Sequence, residues 1–499
     1  MENLTNLMFG FSVALEPTNL FYCFIGVLVG TLVGVLPGLG PSATIALLLP
    51  VTFNIKPVSA LIMLCGIMYG SQYGGSTTAI LLNIPGEASS IATCLDGYQM
   101  ARKGRAGAAL GISAFGSFIA GTLTLFGLII FAPALANFGL RFGPPEFFSL
   151  MLLGLSIVTY LARGSMIKAL MMAALGLMLG CVGMDLIVGK PRFTFRLLNL
   201  ADGIGIVPMT MGLFGVAEVL ENVGDITSRS FLSKKVKGIL PSKQDWKRSI
   251  GPIGRGAFLG FFMGIIPGTG ATIPTFISYV VEKRISKHPE RFGTGEIEGV
   301  AGPESCNNAA ASGNFIPTLS LGIPASPSTA ILLGALMIYG LQPGPLLIKT
   351  RPELFWGLVA SMYLGNGLLL VLNLPLIPVW VRILRVPYTY LFAVILLTCL
   401  IGAYSLNNNI FDLWIIIIFG VVGYLLKLFG NELAPLVLAF ILGPTVEVSL
   451  RRSLIMSDGS LTIFLTRPIS AIFLLITLVV LLLPLVMRRR LGAGLSREE

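Results

Sequence analysis

Apolar runs recur along the whole chain, and charge is confined to the gaps between them. Residues 17–55 carry no Asp, Glu, Lys or Arg, nor do 57–86, 107–140 and 256–281; residues 299–348 carry one, Glu304. Gly107–Leu140 exceeds the roughly 20 residues that cross a bilayer. Ala471–Met487, followed by Arg488-Arg489-Arg490, has the form of a last span with a cytoplasmic anchor. Counting such runs predicts an all-α polytopic membrane protein with about 10–12 transmembrane helices.

Composition agrees. Of 499 residues, 55% are hydrophobic and 11% charged, too little charge to cover a soluble protein of this size. The net charge of +11 reads as basic loops kept on the cytoplasmic side, not as a nucleic-acid surface. The six cysteines are scattered without a C-x-x-C pair and read as small apolar packing residues. The single histidine, His288, lies in a charged loop, which argues against a His-based metal site or Ser-His dyad within the membrane. Met1–Leu15 lacks the basic start of a cleavable signal.

The apolar pattern is interrupted twice in the same way. Gly34-Val-Leu-Pro37-Gly38-Leu-Gly40 returns as Gly264-Ile-Ile-Pro267-Gly268-Thr-Gly270, 264 − 34 = 230 residues later. "YGGSTTAILLNIPGEASS" (Tyr73–Ser90) resembles "SGNFIPTLSLGIPASPS" (Ser312–Ser328), so two motifs return in one order. The expected organisation is a first transmembrane repeat at 1–224, a basic cytoplasmic linker at 225–255, a second repeat at 256–487 and a cytoplasmic tail at 488–499. Between the motifs the first half has "FNIKPVS", with one charge, where the second has the basic "VEKRISKHPERFGTGE". After the second motif the bias reverses: "GYQMARKGRAG" is basic, and "YGLQPGPLLIKT" is weakly charged. Equivalent loops on opposite sides predict inverted repeats with broken or re-entrant helical hairpins.

Broken backbone survives in lipid only where protein or a wet cavity covers it. Pro37 and Pro267 serve as structural helix breaks, while Gly38, Gly40, Gly268 and Gly270 allow tight backbone and close approach of a ligand. Ser42 and Thr44 follow the first break, and Thr269 and Thr272 the second, as expected caps of new helix N-termini. Such ends hold anions without a basic side chain. The same unwound backbone, with Asn308, marks a Na+ site near Gly38, Gly40, Gly268 and Gly270. Asn83 reads as a buried amide, either a ligand contact or a helix–helix hydrogen bond. "GPESCNNAAASGN" gathers Glu304, Asn307, Asn308, Ser312 and Asn314 in apolar surroundings, as the lining of a pathway. Glu87 is expected at a membrane surface near Arg102 and Lys103, and Asp185 at an interface.

"GVLPGLGPSATIALLLPVTF", "YGGSTTAILLNIPGEASS", "DGYQMARKGRAGAALGISAFGS", "GPESCNNAAASGNFIPTLSLGIP" and "LLGALMIYGLQPGP" resemble the large membrane subunit of the tripartite tricarboxylate transporters, the TctA family. The likeness runs along essentially the whole chain. It implies a permease, not an enzyme, in the bacterial inner membrane. It also implies a small TctB-like membrane subunit and a periplasmic TctC-like solute-binding protein as partners. Tricarboxylates or related small carboxylates would be imported on a Na+ or H+ gradient. The family motifs fall on Pro37, Gly38, Gly40 and Ser42, on Gly74, Gly75, Ser76 and Thr77, and on Asn83, Ile84, Pro85 and Gly86. In the second half they fall on Pro267, Gly268, Thr269 and Gly270, on Asn307, Asn308 and Asn314, and on Ile323 and Pro324. Thr44, Thr272 and Ser326 complete the expected substrate-binding set. The chain departs from the family at Ala325, where glycine is frequent. The competing readings are an anion-selective channel and an intramembrane protease, although the latter needs a membrane His or Asp pair that the sequence does not offer.

Overall fold

The computed structural model describes residues 2–36, 40–161, 165–185, 187–222, 238–383 and 388–495. They are helical except for connecting turns and one short antiparallel ladder, Gly183–Met184 against Pro191–Arg192. Five described helices are long and apolar enough to cross a membrane: Pro17–Gly34, Ala106–Gly139, Pro352–Asn373, Ile410–Leu428 and Ala434–Met456. Helix breaks split other apolar runs into short pieces such as Pro41–Leu48 and Pro327–Ile338. Pro57–Leu82 and Glu298–Leu321 are long but rich in hydroxyls and amides, and they are buried almost all round. They form the interior of the fold rather than its lipid face.

The chain forms two compact units, Met1–Asn137 with Gly205–Leu425, and Phe138–Ile204 with Leu426–Glu499. Each takes segments from both sequence halves. In the first, glycines let helices approach to backbone contact. A Cβ on Gly26, Gly30 or Gly34 would lie 2.3, 2.4 or 2.1 Å from the carbonyl oxygens of Met63, Ile67 and Ser71. The second half repeats this. A Cβ on Gly256, Gly260 or Gly264 would lie 2.4, 2.3 or 2.5 Å from the carbonyls of Gly302, Cys306 and Ala310. Each glycine follows its counterpart by 230 residues (256 − 26, 260 − 30, 264 − 34), and each facing residue by 239 (302 − 63, 306 − 67, 310 − 71). Small residues at i, i+4, i+8 are the usual means by which helices pack closely where lipid supplies no hydrophobic drive.

Part of the expected linker is helix. Lys243–Gly264 starts at a capping box in which Ser242 accepts from the Asp245 amide (3.2 Å) and Asp245 accepts from the Ser242 amide (3.1 Å). Residues 243–255 therefore belong to the first rod of the second half, and Arg255 is tied to Glu282 by two bonds of 2.9 and 2.5 Å. The pattern of charge alone could not separate a basic helix from a basic loop. Residues 225–237 of the linker lie outside the described residues. The last helix, Pro468–Leu495, runs on through Arg488–Arg490 instead of ending before them.

In the second unit, Pro144–Leu161, Met166–Gly180, Ala434–Met456 and Pro468–Leu495 pack together. The ladder is pinned to Ala434–Met456: Arg192 grips Glu447 at 2.6 and 2.9 Å, and Arg451 reaches Asp185 at 2.7 Å. The amide of Val188, the Arg451 guanidinium and the amide of Ile187 hold the Asp185 carboxyl well below the usual aspartate range.

Candidate functional site

Four helices begin at the breaks. Pro41–Leu48 follows the first motif, and Thr272–Ile285 its repeat; Ile91–Arg102, led by the Ala88–Ser90 turn, and Pro327–Ile338 follow the second pair. The ends before these breaks are built alike. Asn83 ends Pro57–Leu82 in the left-handed conformation (φ 57°), and Gly322 ends Glu298–Leu321 in the same way (φ 72°), 322 − 83 = 239 residues later. Asn is the non-glycine residue that best tolerates this geometry. Asn83 is exposed, which corrects its expected burial; its position is set by terminating a helix.

The breaks meet one another. Gly268 (φ 85°) and Gly270 (φ 53°) both point their amides at the Ala325 carbonyl, at 3.0 and 3.3 Å. A Cβ on Gly270 would lie 3.9 Å from the Cβ of Ser326. Ser42 and Ser328 each stand second in their helix, after Pro41 and Pro327, and their Oγ atoms lie 3.0 Å apart. Two helix N-termini from opposite halves thus converge, with serine hydroxyls between them and no basic side chain in either opening turn. Gly40, extended at φ −72°, leads the first of these helices, and a side chain there would touch nothing within 4 Å.

The caps differ from expectation. Thr44 Oγ1 donates back to the Gly40 carbonyl (2.9 Å), and Thr269 Oγ1 to the carbonyls of Met263 (2.7 Å) and Ile266 (2.9 Å). Neither caps a helix, and Thr272 is the first residue of its helix behind an uncapped Ala271. Hydroxyls in apolar surroundings fall back on the nearest free carbonyl, and a break supplies several. The side-chain caps are Ser326, which accepts from the Thr329 amide (3.3 Å), and its counterpart Glu87, which closes a capping box with Ser90. Again the separation is 326 − 87 = 239 residues.

Two carboxylates lie among these elements. Glu304 is 1% exposed and carries no cationic partner among the described residues; Ser76 (2.7 Å), Ser113 (2.8 Å) and Thr93 donate to it. Glu87 accepts from the Asn307 amide at 3.0 Å and from Ser89. It is half-buried among protein groups.

Of the other expected residues, Gly75 backs onto Glu87 and Gly86; a Cβ on Gly86 would lie 2.3 Å from the Gly75 Cα. Thr77 lines a small cavity with Tyr73, Ser113 and Asn373. Pro85 and Pro324 sit inside the two second-motif breaks, and Pro267 inside the repeat of the first. Asn308 turns its amide to the Glu304 carbonyl (3.4 Å). Asn314, oriented so that its nitrogen faces carbonyls, donates to Gly264 (2.8 Å) and Ala310 (3.2 Å), satisfying the helix end before the break. Pro37 and Gly38 lie outside the described residues. Sequence reasoning missed Glu87 and Ser328 as site residues. The signal for Ser328 was the Pro-Ser pair that opens both converging helices.

Residues 20–438 match the family described as "Tripartite tricarboxylate transporter TctA family". A relative from Agrobacterium vitis, an "Uncharacterized 52.8 kDa protein in TAR-I ttuC' 3'region", is 53% identical over 493 residues, 98% of each chain. A second from the same organism, an "Uncharacterized protein in TAR-II ttuC' 3'region", is 51% identical over 234 residues, 46% of this chain and 97% of its own. No solved structure matches.

Proposed function

The chain belongs to the tripartite tricarboxylate transporter TctA family, and from that premise we propose that it is the permease subunit of a binding-protein-dependent importer of tricarboxylates or related small carboxylates. It is a multi-pass inner-membrane protein. The observation that carries the substrate reading is the meeting of the Pro41–Leu48 and Pro327–Ile338 N-termini across the 3.0 Å Ser42–Ser328 contact. Each helix N-terminus favours an anion by about 0.3–2 kcal/mol, and two such ends with serine hydroxyls between them add up without a salt bridge that would have to be broken on release. A TctC-like protein delivers the solute from the periplasm, a TctB-like subunit completes the membrane part, and a Na+ or H+ gradient drives uptake.

The inverted arrangement has its own support. Tyr339, after the second motif of the second half, donates to the Thr52 carbonyl (2.6 Å), before the second motif of the first half. The reciprocal contact also exists. Asp96, near the end of the second motif region in the first half, accepts from the amides of Gly293 (2.9 Å), Gly295 (2.7 Å) and Glu296 (2.7 Å), before the second motif of the second half. Exchange of unlike loops in both directions is what a two-fold axis produces. The Asp96 contact is flanked by Arg102, Lys103, Lys283, Arg284 and Lys287, and the Thr52 contact by Lys56 alone on its own side. Basic loops face the cytoplasm, which supports an axis in the membrane plane.

Uptake into vesicles reconstituted with the permease and both partners tests this. Labelled citrate, succinate and tartrate, offered with and without Na+ and with an imposed pH gradient, should show saturable, gradient-driven accumulation of at least one. Flux that neither saturates nor depends on a cation gradient would instead identify a channel.

A further inference from the structure

The register between the halves pairs Glu87 with Ser326 and Ser90 with Thr329, all 239 residues apart (326 − 87, 329 − 90). Ser326 caps Pro327–Ile338, Glu87 caps the Ala88–Ser90 turn that leads into Ile91–Arg102, and both close a capping box with the hydroxyl three residues on. One cap is an acid and the other a neutral serine. The Ser326 end is the one bridged to the Pro41–Leu48 helix through Ser328 and Ser42. The Glu87 end carries its own anion. Beside it stands Asn307, 1% exposed, whose nitrogen donates to Glu87 and whose Oδ1 has no partner. That end therefore holds two surplus acceptors, a carboxylate and an orphaned amide oxygen. An acceptor left without a donor in a buried place penalises another acceptor brought beside it.

Resting on the anion-binding reading of the Ser42–Ser328 pair, we propose that Glu87, with Asn307, is the residue that sets how much negative charge the bound solute carries. One of two equivalent seats is left open to a carboxylate. The other is filled by the protein's own carboxylate and repels a second one from the solute. A Cβ on Gly75 would lie 3.4 Å from both the Glu87 Cγ and its amide nitrogen, so the glycine leaves the acid room beside this helix.

The test uses the full-length protein in lipid nanodiscs and isothermal titration with butyrate, glutarate and tricarballylate. These carry one, two and three carboxylates on similar chains. Glu87→Gln keeps the shape and acceptor oxygen of the cap and removes its charge. It should shift relative affinity toward the more highly charged members by about two- to thirty-fold, the range for one charge at a helix end. Ser326→Glu closes the open seat and should abolish binding of all three while thermal unfolding stays as in the wild type. An unchanged affinity ratio in folded Glu87→Gln overturns the proposal. So does wild-type affinity in Ser326→Glu, which remains decisive if Glu87→Gln does not fold. A wild-type protein that binds none of the three removes the anion seat itself, and with it the reading beneath.

Discussion

A methyl group at Gly86 would stand 2.3 Å from the Gly75 Cα and 2.9 Å from the Gly34 carbonyl, all backbone atoms that cannot swing aside. Gly86→Ala should therefore cost about 1–3 kcal/mol or more, seen as a lowered unfolding temperature. Gly40→Ala is the control: its backbone is ordinary, its surroundings are empty, and stability should hold within about 0.5 kcal/mol. Both glycines were legible as residues of a break, but only the contacts separate the one that needs to be glycine. The same limit applied to the hydroxyls. Propensity says that Ser and Thr cap helices, yet Thr44 and Thr269 bond back to carbonyls, and the acid Glu87 caps instead. Asn83 was misread as buried, because a left-handed helix end leaves no trace in hydrophobicity.

At the scale of helices, the glycine stripes decide how closely the rods lie. Gly260 faces the Cys306 carbonyl at 2.3 Å from its would-be Cβ, whereas Gly254, on the same helix, faces nothing. Gly260→Leu should separate Lys243–Gly264 from Glu298–Leu321 and yield aggregated protein on size-exclusion chromatography. Gly254→Leu should elute as the wild type does. The breaks were readable in the sequence because Pro and Gly punctuate an otherwise apolar run. The start of Lys243–Gly264 was not, since Lys, Gln, Asp and Trp serve a cytoplasmic loop and a helix end equally well.

For the molecule as a whole, the two-fold relation proposed above predicts that equivalent loops face opposite compartments. Lys56→Cys and Lys287→Cys should be labelled by a membrane-impermeant maleimide from opposite sides of oriented vesicles; labelling from one side would contradict the inversion. The repeat itself was visible at two motifs, and the packing extends it to three glycines and the carbonyls they touch. What the sequence concealed was which groups meet across long separations. Glu304 draws Ser76 from 228 residues away, Thr93 from 211 and Ser113 from 191. That separation also fixes an order of events during biogenesis. The three hydroxyls leave the ribosome well before the acid that they receive, so the nascent first half enters the bilayer with its polar nest vacant. Only when the later segment is inserted does the carboxylate find its donors.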